Sequence, residues 1–246
     1  MKIRLLSDLH MEGYYFQYQA DNEDVIVLAG NIHSKSRHED LLKQIPSNIS
    51  VILVAGNTEY YESNFDDVNA QLKQLTQQYP NFHYLQNESI KIGDVNFYGG
   101  TMFTDFKLHG DDVTASRQYA QDKMSDFSRI YKNNKLWTTK DHEAEHKKFV
   151  KGLVKFLSKP HEKRVVISHF MPTYASSKSK SSSKLDPYFI ANMEQYMGWK
   201  GFWLCGHGNN YKKVSVGDTK IEMNAKGYNV DPDPGLKFIP YFYVEI

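Results

Sequence analysis

Two segments, DVIVLAGNIH at 24–33 and VILVAGNTEYYE at 51–62, constrain the fold of this chain more than any other part of it. Each carries a short, largely β-branched apolar run that stops on Ala-Gly-Asn. A run without polar alternation suits a strand buried on both faces, and such strands sit in sheets covered by further layers. A strand that stops on glycine and then offers a short polar side chain aims that side chain at something. Comparable runs lie at Ile3–Leu6, Val25–Leu28, Val51–Val54, His83–Leu85, Val95–Tyr98, Val165–Ile167, Phe202–Leu204, Val214–Val216, Ile221–Met223 and Phe238–Val244.

Helical patterns lie between them. Phe65, Val68, Leu72, Leu75 and Tyr79 recur at steps of three and four, and residues 139–158 put Phe149, Leu153 and Leu157 on one face. KIGDVNF and KKVSVGDTKIEM read as antiparallel hairpins with Gly-Asp turns. This order predicts an α/β fold with two facing sheets flanked by helices, as one domain over 1–246. SSKSKSSSK at 176–184 reads as a mobile loop; the other reading has its lysines close over an anion.

The charge balance narrows the partners. Thirty basic against twenty-nine acidic side chains leave a net charge of +1, too little field to draw long nucleic acid or an anionic membrane. The apolar runs are too short to span a bilayer, and the opening residues run straight into a strand rather than a signal peptide. One cysteine, Cys205, allows no internal disulfide and suits a reducing cytoplasm. In FWLCG it reads as a small buried thiol.

Five of the strands end in polar side chains. The first ends in SDLH, with Asp8 and His10 on the same side of an extended chain; the second ends at Asn31 and the third at Asn57 and Thr58. VVISHF ends in His169, and FWLCGHGN in His207 and Asn209. Each residue alone has an ordinary reading as a cap, a turn residue or a satisfied histidine. Together, beyond strand carboxyl ends where α/β sheets bind ligands, Asp, His and Asn make a mixed nitrogen and oxygen metal site.

This set resembles the calcineurin-like metallophosphoesterases, whose strand ends read D-x-H, G-D, G-N-H-[ED], H and G-H-x-H in a four-layer α/β/β/α sandwich. GGTMFTDF, the helix before VVISHFMPT, and GDTKIEMNAKGY are similar to further segments of bacterial members. The resemblance implies that Asp8 and His10 hold a first metal and that Asn57, His169 and His207 hold a second. It puts Asn31 where the family has the aspartate that bridges both metals. Thr58 stands where the family has the histidine that protonates the leaving oxygen, and Asn209 at the last metal histidine.

These replacements weaken the chemistry. Two cations about 3.5–4 Å apart repel strongly, and an amide oxygen offsets that repulsion with only a dipole. Threonine cannot cycle a proton near neutral pH, and general acid–base catalysis is worth about 10²–10⁴-fold. The expectation is therefore a degraded site that holds one weakly bound divalent cation (Mn²⁺, Fe²⁺, Zn²⁺ or Mg²⁺) rather than two. Such a site would bind a small phosphorylated molecule or a nucleotide with little or no hydrolysis. The rival reading is a single-metal phosphodiesterase or phosphomonoesterase with Glu59, His33 or Tyr60 as a different acid. Two more are a pure interaction protein, and replacements at Asn31, Thr58 and Asn209 that trap a substrate.

HEAEH at 142–146 also fits the H-E-x-x-H zinc motif, with His142 and His146 one turn apart and Glu143 between them. Its charged flanks place that helix end in solvent, and Glu162 is a poor third ligand. GYYFQY at 13–18 could stack on a base or wall the site.

Overall fold

Alternate residues of the aliphatic strands point opposite ways, and both ways lead inside. Ile3, Leu5, Val25, Val27, Ile52 and Val54 pack against Val95, Phe97, Val165, Ile167, Phe202 and Leu204 in one core. Leu6, Ile26, Leu28, Val51 and Leu53, with Tyr98, Val166 and Trp203, belong to a second core that includes the helix side chains Phe65, Val68, Leu72, Phe149 and Leu153. Strands buried on both faces require a sheet between two layers, which is why the runs lack polar alternation.

The computed structural model describes residues 1–34, 37–110, 112–177, 183–208, 211–228 and 238–246. In chain order the elements are β1 (Lys2–Leu6), β2 (Val25–Ala29), α1 (Glu39–Leu42), β3 (Ser50–Val54), β4 (Ser63–Asn64), α2 (Phe65–Gln78), β5 (Phe82–Tyr84), β6 (Glu88–Ile92) and β7 (Val95–Gly100). There follow α3 (Thr114–Lys123), α4 (Asp126–Arg129), β8 (Ile130–Lys132), β9 (Lys135–Leu136), α5 (Thr139–Leu157), β10 (Lys163–Ser168), α6 (Asp186–Phe189), β11 (Gly201–Cys205), β12 (Tyr211–Val216), β13 (Thr219–Asn224) and β14 (Tyr243–Glu245). One sheet runs β14-β1-β2-β3-β5 and the facing sheet β12-β13-β11-β10-β7-β6, with a small third sheet β4-β8-β9. The α/β sandwich expected from the sequence is therefore present.

Parallel pairing sets the strand ends level: Leu6 lies opposite Leu28, Ala29 opposite Val54, and Ile167 opposite both Leu204 and Gly99. Both hairpins form, with Gly93 and Gly217 at φ of +57° and +56° in their turns, where a side chain would be strained. Asn64 caps α2 through Asp66 N–H, and Thr138 and Asp141 form a capping box on α5.

Three expectations need correction or limits. The run Phe238–Val244 is a strand only from Tyr243, because Pro240 has no N–H to give a ladder; Arg4 Nε instead donates to its carbonyl at 2.8 Å. The start of α5 is not in solvent: His142 and His146 are buried, and its lysines lie on the other faces. Residues 178–182 of the Ser/Lys stretch lie outside the described residues, and Tyr174–Ser176 before them form a short 3-10 turn. No described helix is long and apolar enough to cross a membrane.

Candidate metal centre

Asp8 follows β1, His169 follows β10 and His207 follows β11, and their ligand atoms all lie within 4.8 Å of one another. The backbone that delivers these side chains is bent sharply. Asp8, His10, Asn31 and His207 sit at φ of 53°, 48°, 55° and 61°, a region that is unfavourable for residues other than glycine and concentrates at functional sites.

The glycines of the Ala-Gly-Asn motifs are required by close approach. A Cβ on Gly30 would lie 2.4 Å from His169 Nδ1, and one on Gly56 would lie 2.2 Å from Asn31 Oδ1. Each glycine thus lets another motif's side chain press against the strand end.

His169 Nδ1 is 2.8 Å from the Ala29 carbonyl. A carbonyl only accepts, so Nδ1 carries the proton and Nε2 presents its lone pair. That Nε2 lies 2.9 Å from His207 Nδ1 and 3.3 Å from Asn57 Oδ1. Burial, and then the neighbouring His169, hold the His207 pKa well below the usual imidazole range. Its Nε2 is buried with no hydrogen-bond partner.

Asp8 accepts three hydrogen bonds, which leaves one of a carboxylate's four acceptor positions for a further partner. Its Oδ2 accepts from Ser7 Oγ at 2.8 Å and His207 N–H at 2.9 Å, and its Oδ1 accepts from Asn31 Nδ2 at 3.0 Å. Asn31 Oδ1 in turn accepts from Thr58 N–H at 3.0 Å and Thr58 Oγ at 2.8 Å. A backbone N–H can only donate, so the amide oxygen is fixed toward Thr58 and the NH₂ toward Asp8.

Two facing sheets whose strand ends carry these residues correspond to a known architecture, and residues 1–210 match the family model of the calcineurin-like phosphoesterases. The chain belongs to the calcineurin-like phosphoesterase family. It is 24% identical over 279 aligned positions to uncharacterized protein L509 of Acanthamoeba polyphaga mimivirus, covering 99% of this chain and 96% of that protein. The phosphopantetheinyl hydrolase PptH of Mycobacterium tuberculosis shares the fold at TM-score 0.73 and 13% identity, over 97% of this chain and 95% of that one. TT1561 of Thermus thermophilus does so at TM-score 0.52 and 11% identity, over 91% and 88%.

Calcineurin-like phosphoesterases are metal-dependent, and the donor set here fits a divalent cation. A carboxylate and two imidazoles whose ligand atoms lie within 4.8 Å of one another, His169 with a proton-free Nε2, suit a borderline divalent ion. The Asn57 amide lies beside them, its Oδ1 3.3 Å from His169 Nε2. Its Nδ2 donates to Asp126 Oδ1 at 2.8 Å and to Tyr61 OH at 3.0 Å, which leaves Oδ1 facing His169. Asp126 is fully buried; burial raises its pKa, against lowering by hydrogen bonds from Asn57, Tyr188 and Tyr61. KMSDFSRI at 123–130 contains no motif, so sequence reasoning missed it.

The other predicted residues stand outside the Asp8–His169–His207 group. His10 is buried with Nδ1 3.2 Å from Glu12 Oε1, and its ring stacks on Tyr228 at 4.1 Å. Asn209 lies outside the described residues. Glu59 is a fully buried clamp: its carboxylate accepts from the N–H groups of Asn31 (2.9 Å), Ile32 (2.6 Å), His33 (3.4 Å) and Gly56 (2.7 Å). Burial pushes its pKa up, but contact with His38, the His169 ring and the backbone donors outweigh this and hold it at about 2. Tyr60 is buried in a hydroxyl cluster with Asn69, Tyr84 and Thr101, and His33 Nδ1 is 3.0 Å from the Ser34 carbonyl.

HEAEH does not assemble a zinc site. His142 is caged by Phe103, Phe106, Phe127, Phe170 and Tyr188 with neither nitrogen bonded. His146 Nδ1 is 2.6 Å from the Phe103 carbonyl, and Glu143 pairs with Arg117. In GYYFQY, Tyr18 is buried, Phe16 packs against Phe238, and Tyr14 leans toward Tyr228 while Tyr15 is exposed. Cys205 is buried, and burial pushes its thiol pKa up.

Proposed function

We propose that this protein is a calcineurin-like phosphoesterase with a degraded site. It holds one divalent cation through Asp8, His169 and His207, joined by the Asn57 amide oxygen, and it binds a small phosphorylated molecule with little or no hydrolysis. The observation that carries this reading is the Asn31 amide, locked between Thr58 and Asp8. Where the family places a bridging carboxylate, an N–H group directs partial positive charge at Asp8. It thereby takes the place of a second cation instead of attracting one. Two close cations need a full negative charge between them, and Asn31 supplies none.

The cation would polarise a phosphoryl oxygen as a Lewis acid. The proton transfer lacks an agent. Thr58 stands at the acid position with its hydroxyl already donated to Asn31. Of the rival acids, Glu59 is spent on four backbone N–H groups and Tyr60 is sealed in the core. His33 is buried beside the Ser34 carbonyl. Tyr14 and Tyr228 beside His10 offer an aromatic wall, which suits a ligand with a base as well as a phosphate.

The test is hydrolysis of generic phosphomonoesters and phosphodiesters with Mn²⁺, beside the triple variant Asn31→Asp, Thr58→His, Asn209→His. Turnover by the triple variant alone supports the reading. Comparable turnover by the unaltered chain overturns it in favour of a single-metal hydrolase.

A further inference from the structure

We propose that Asp126 is a positioning residue for the cation, acting by turning the amide oxygen of Asn57 inward. This rests on the one-cation reading above. Asp126 lies at the start of α4, in the stretch between β7 and α5, outside every strand-end motif. It is nevertheless 0% exposed, and its carboxylate accepts from neutral donors: Asn57 Nδ2 at 2.8 Å, Tyr61 OH at 3.0 Å and Tyr188 OH at 2.7 Å. A buried carboxylate held by neutral groups is a costly arrangement. The structure puts that carboxylate against Asn57, whose orientation decides whether its amide offers the centre a fourth donor.

The need for such a residue follows from the shape of asparagine. The two ends of the amide are nearly isosteric, so packing alone does not choose between them. With NH₂ inward, Asn57 would aim donors at the position a cation needs. As a carboxylate Asp126 accepts only, so it captures the NH₂ and leaves Oδ1 facing His169 Nε2 at 3.3 Å. Tyr61 OH and Tyr188 OH both donate to the carboxylate, and Tyr61 OH also accepts from Asn57 Nδ2 at 3.0 Å. A phenol keeps its proton near neutral pH, so both hydroxyls have one to give. Three segments remote in sequence, at Asn57–Tyr61, Asp126 and Tyr188, therefore meet to fix one amide.

Partners that orient metal ligands typically contribute about 10–100-fold in metal affinity. The experiment is Mn²⁺ binding by the full chain, by Asp126→Asn, by Asn57→Ala and by the double variant. Asp126→Asn is expected to weaken Mn²⁺ by at least about tenfold and to add nothing in the Asn57→Ala background, because it acts through Asn57. Equal affinity in Asp126→Asn and the unaltered chain overturns the proposal. So does a loss that persists in full without Asn57, which a general structural or charge effect would give. If the unaltered chain binds no Mn²⁺, the one-cation reading fails first and the proposal falls with it.

Should Asp126→Asn not fold, carbon and proton NMR of the unaltered chain with Zn²⁺ decides. The Asn57 side-chain carbonyl should shift while its NH₂ protons stay slow to exchange. An unmoved carbonyl, or freely exchanging NH₂ protons, overturns the assignment.

Discussion

Asn31 and Asp8 face each other across a hydrogen bond of 3.0 Å in which the amide nitrogen donates to the carboxylate. Thr58 fixes that direction by giving two donors to the amide oxygen. The relationship inverts the electrostatics of a two-cation site. A carboxylate at position 31 would repel Asp8 and require positive charge between them. The amide gives Asp8 a donor and brings no second charge that a further cation would have to balance.

Gly56→Ala tests how tightly this lock is built. The new Cβ would meet Asn31 Oδ1 at 2.2 Å and Asn31 N at 2.7 Å, and Asn31 is held at both ends of its side chain. The variant is expected to lose about 2–3 kcal/mol, the upper range for overpacking. A urea midpoint unchanged from the unaltered protein would mean the motif has slack.

Glu59→Gln tests the clamp beneath the site. One amide cannot accept from four N–H groups with both ends, so the loss is expected to be on the order of 3 kcal/mol near neutral pH. The folded Glu59 carboxyl is held at about 2, below its ordinary 4.5. A depressed carboxyl pKa stabilises the fold above the unfolded value and loses that contribution as pH falls toward the folded one. The gap between the two proteins should therefore narrow as pH drops from 4.5 to about 2. Urea midpoints across that range check it, and a constant gap counts against the clamp's charge.

The layered fold was legible in the sequence because doubly buried strands leave an unbroken aliphatic run, as in Val25–Ala29, and because Gly-Asp turns mark the hairpins. That Asp8, His169 and His207 come together was legible because each stands within two residues of the end of such a strand. Asp126 was not, since its meaning depends on Asn57 and Tyr188, far away in the chain and near only in space. The HEAEH helix was misplaced because charged flanks say which faces are wet but not which face is packed. His142 and His146 share the inner one.

His142→Leu tests that inner face. Both imidazole nitrogens are buried and unbonded, and burial, then His146, lower the His142 pKa well below its ordinary 6.5. As pH falls through 6.5 the unfolded chain takes up a proton that the folded one refuses, so the native histidine costs stability in acid. The variant should gain on the order of 1 kcal/mol near neutral pH and more at lower pH. Melting temperatures at two pH values measure this. The content of bound divalent metal should not change, whereas its loss would revive a zinc role for HEAEH.

The most direct measurement counts cations. Mn²⁺ bound per chain is determined at saturation for the unaltered protein and for Asn31→Asp. The account predicts one ion in the unaltered chain, held by Asp8, His169 and His207, and a second only once position 31 carries a charge. Two ions in the unaltered chain would contradict it, because the Asn31 amide would then not be standing in for a cation.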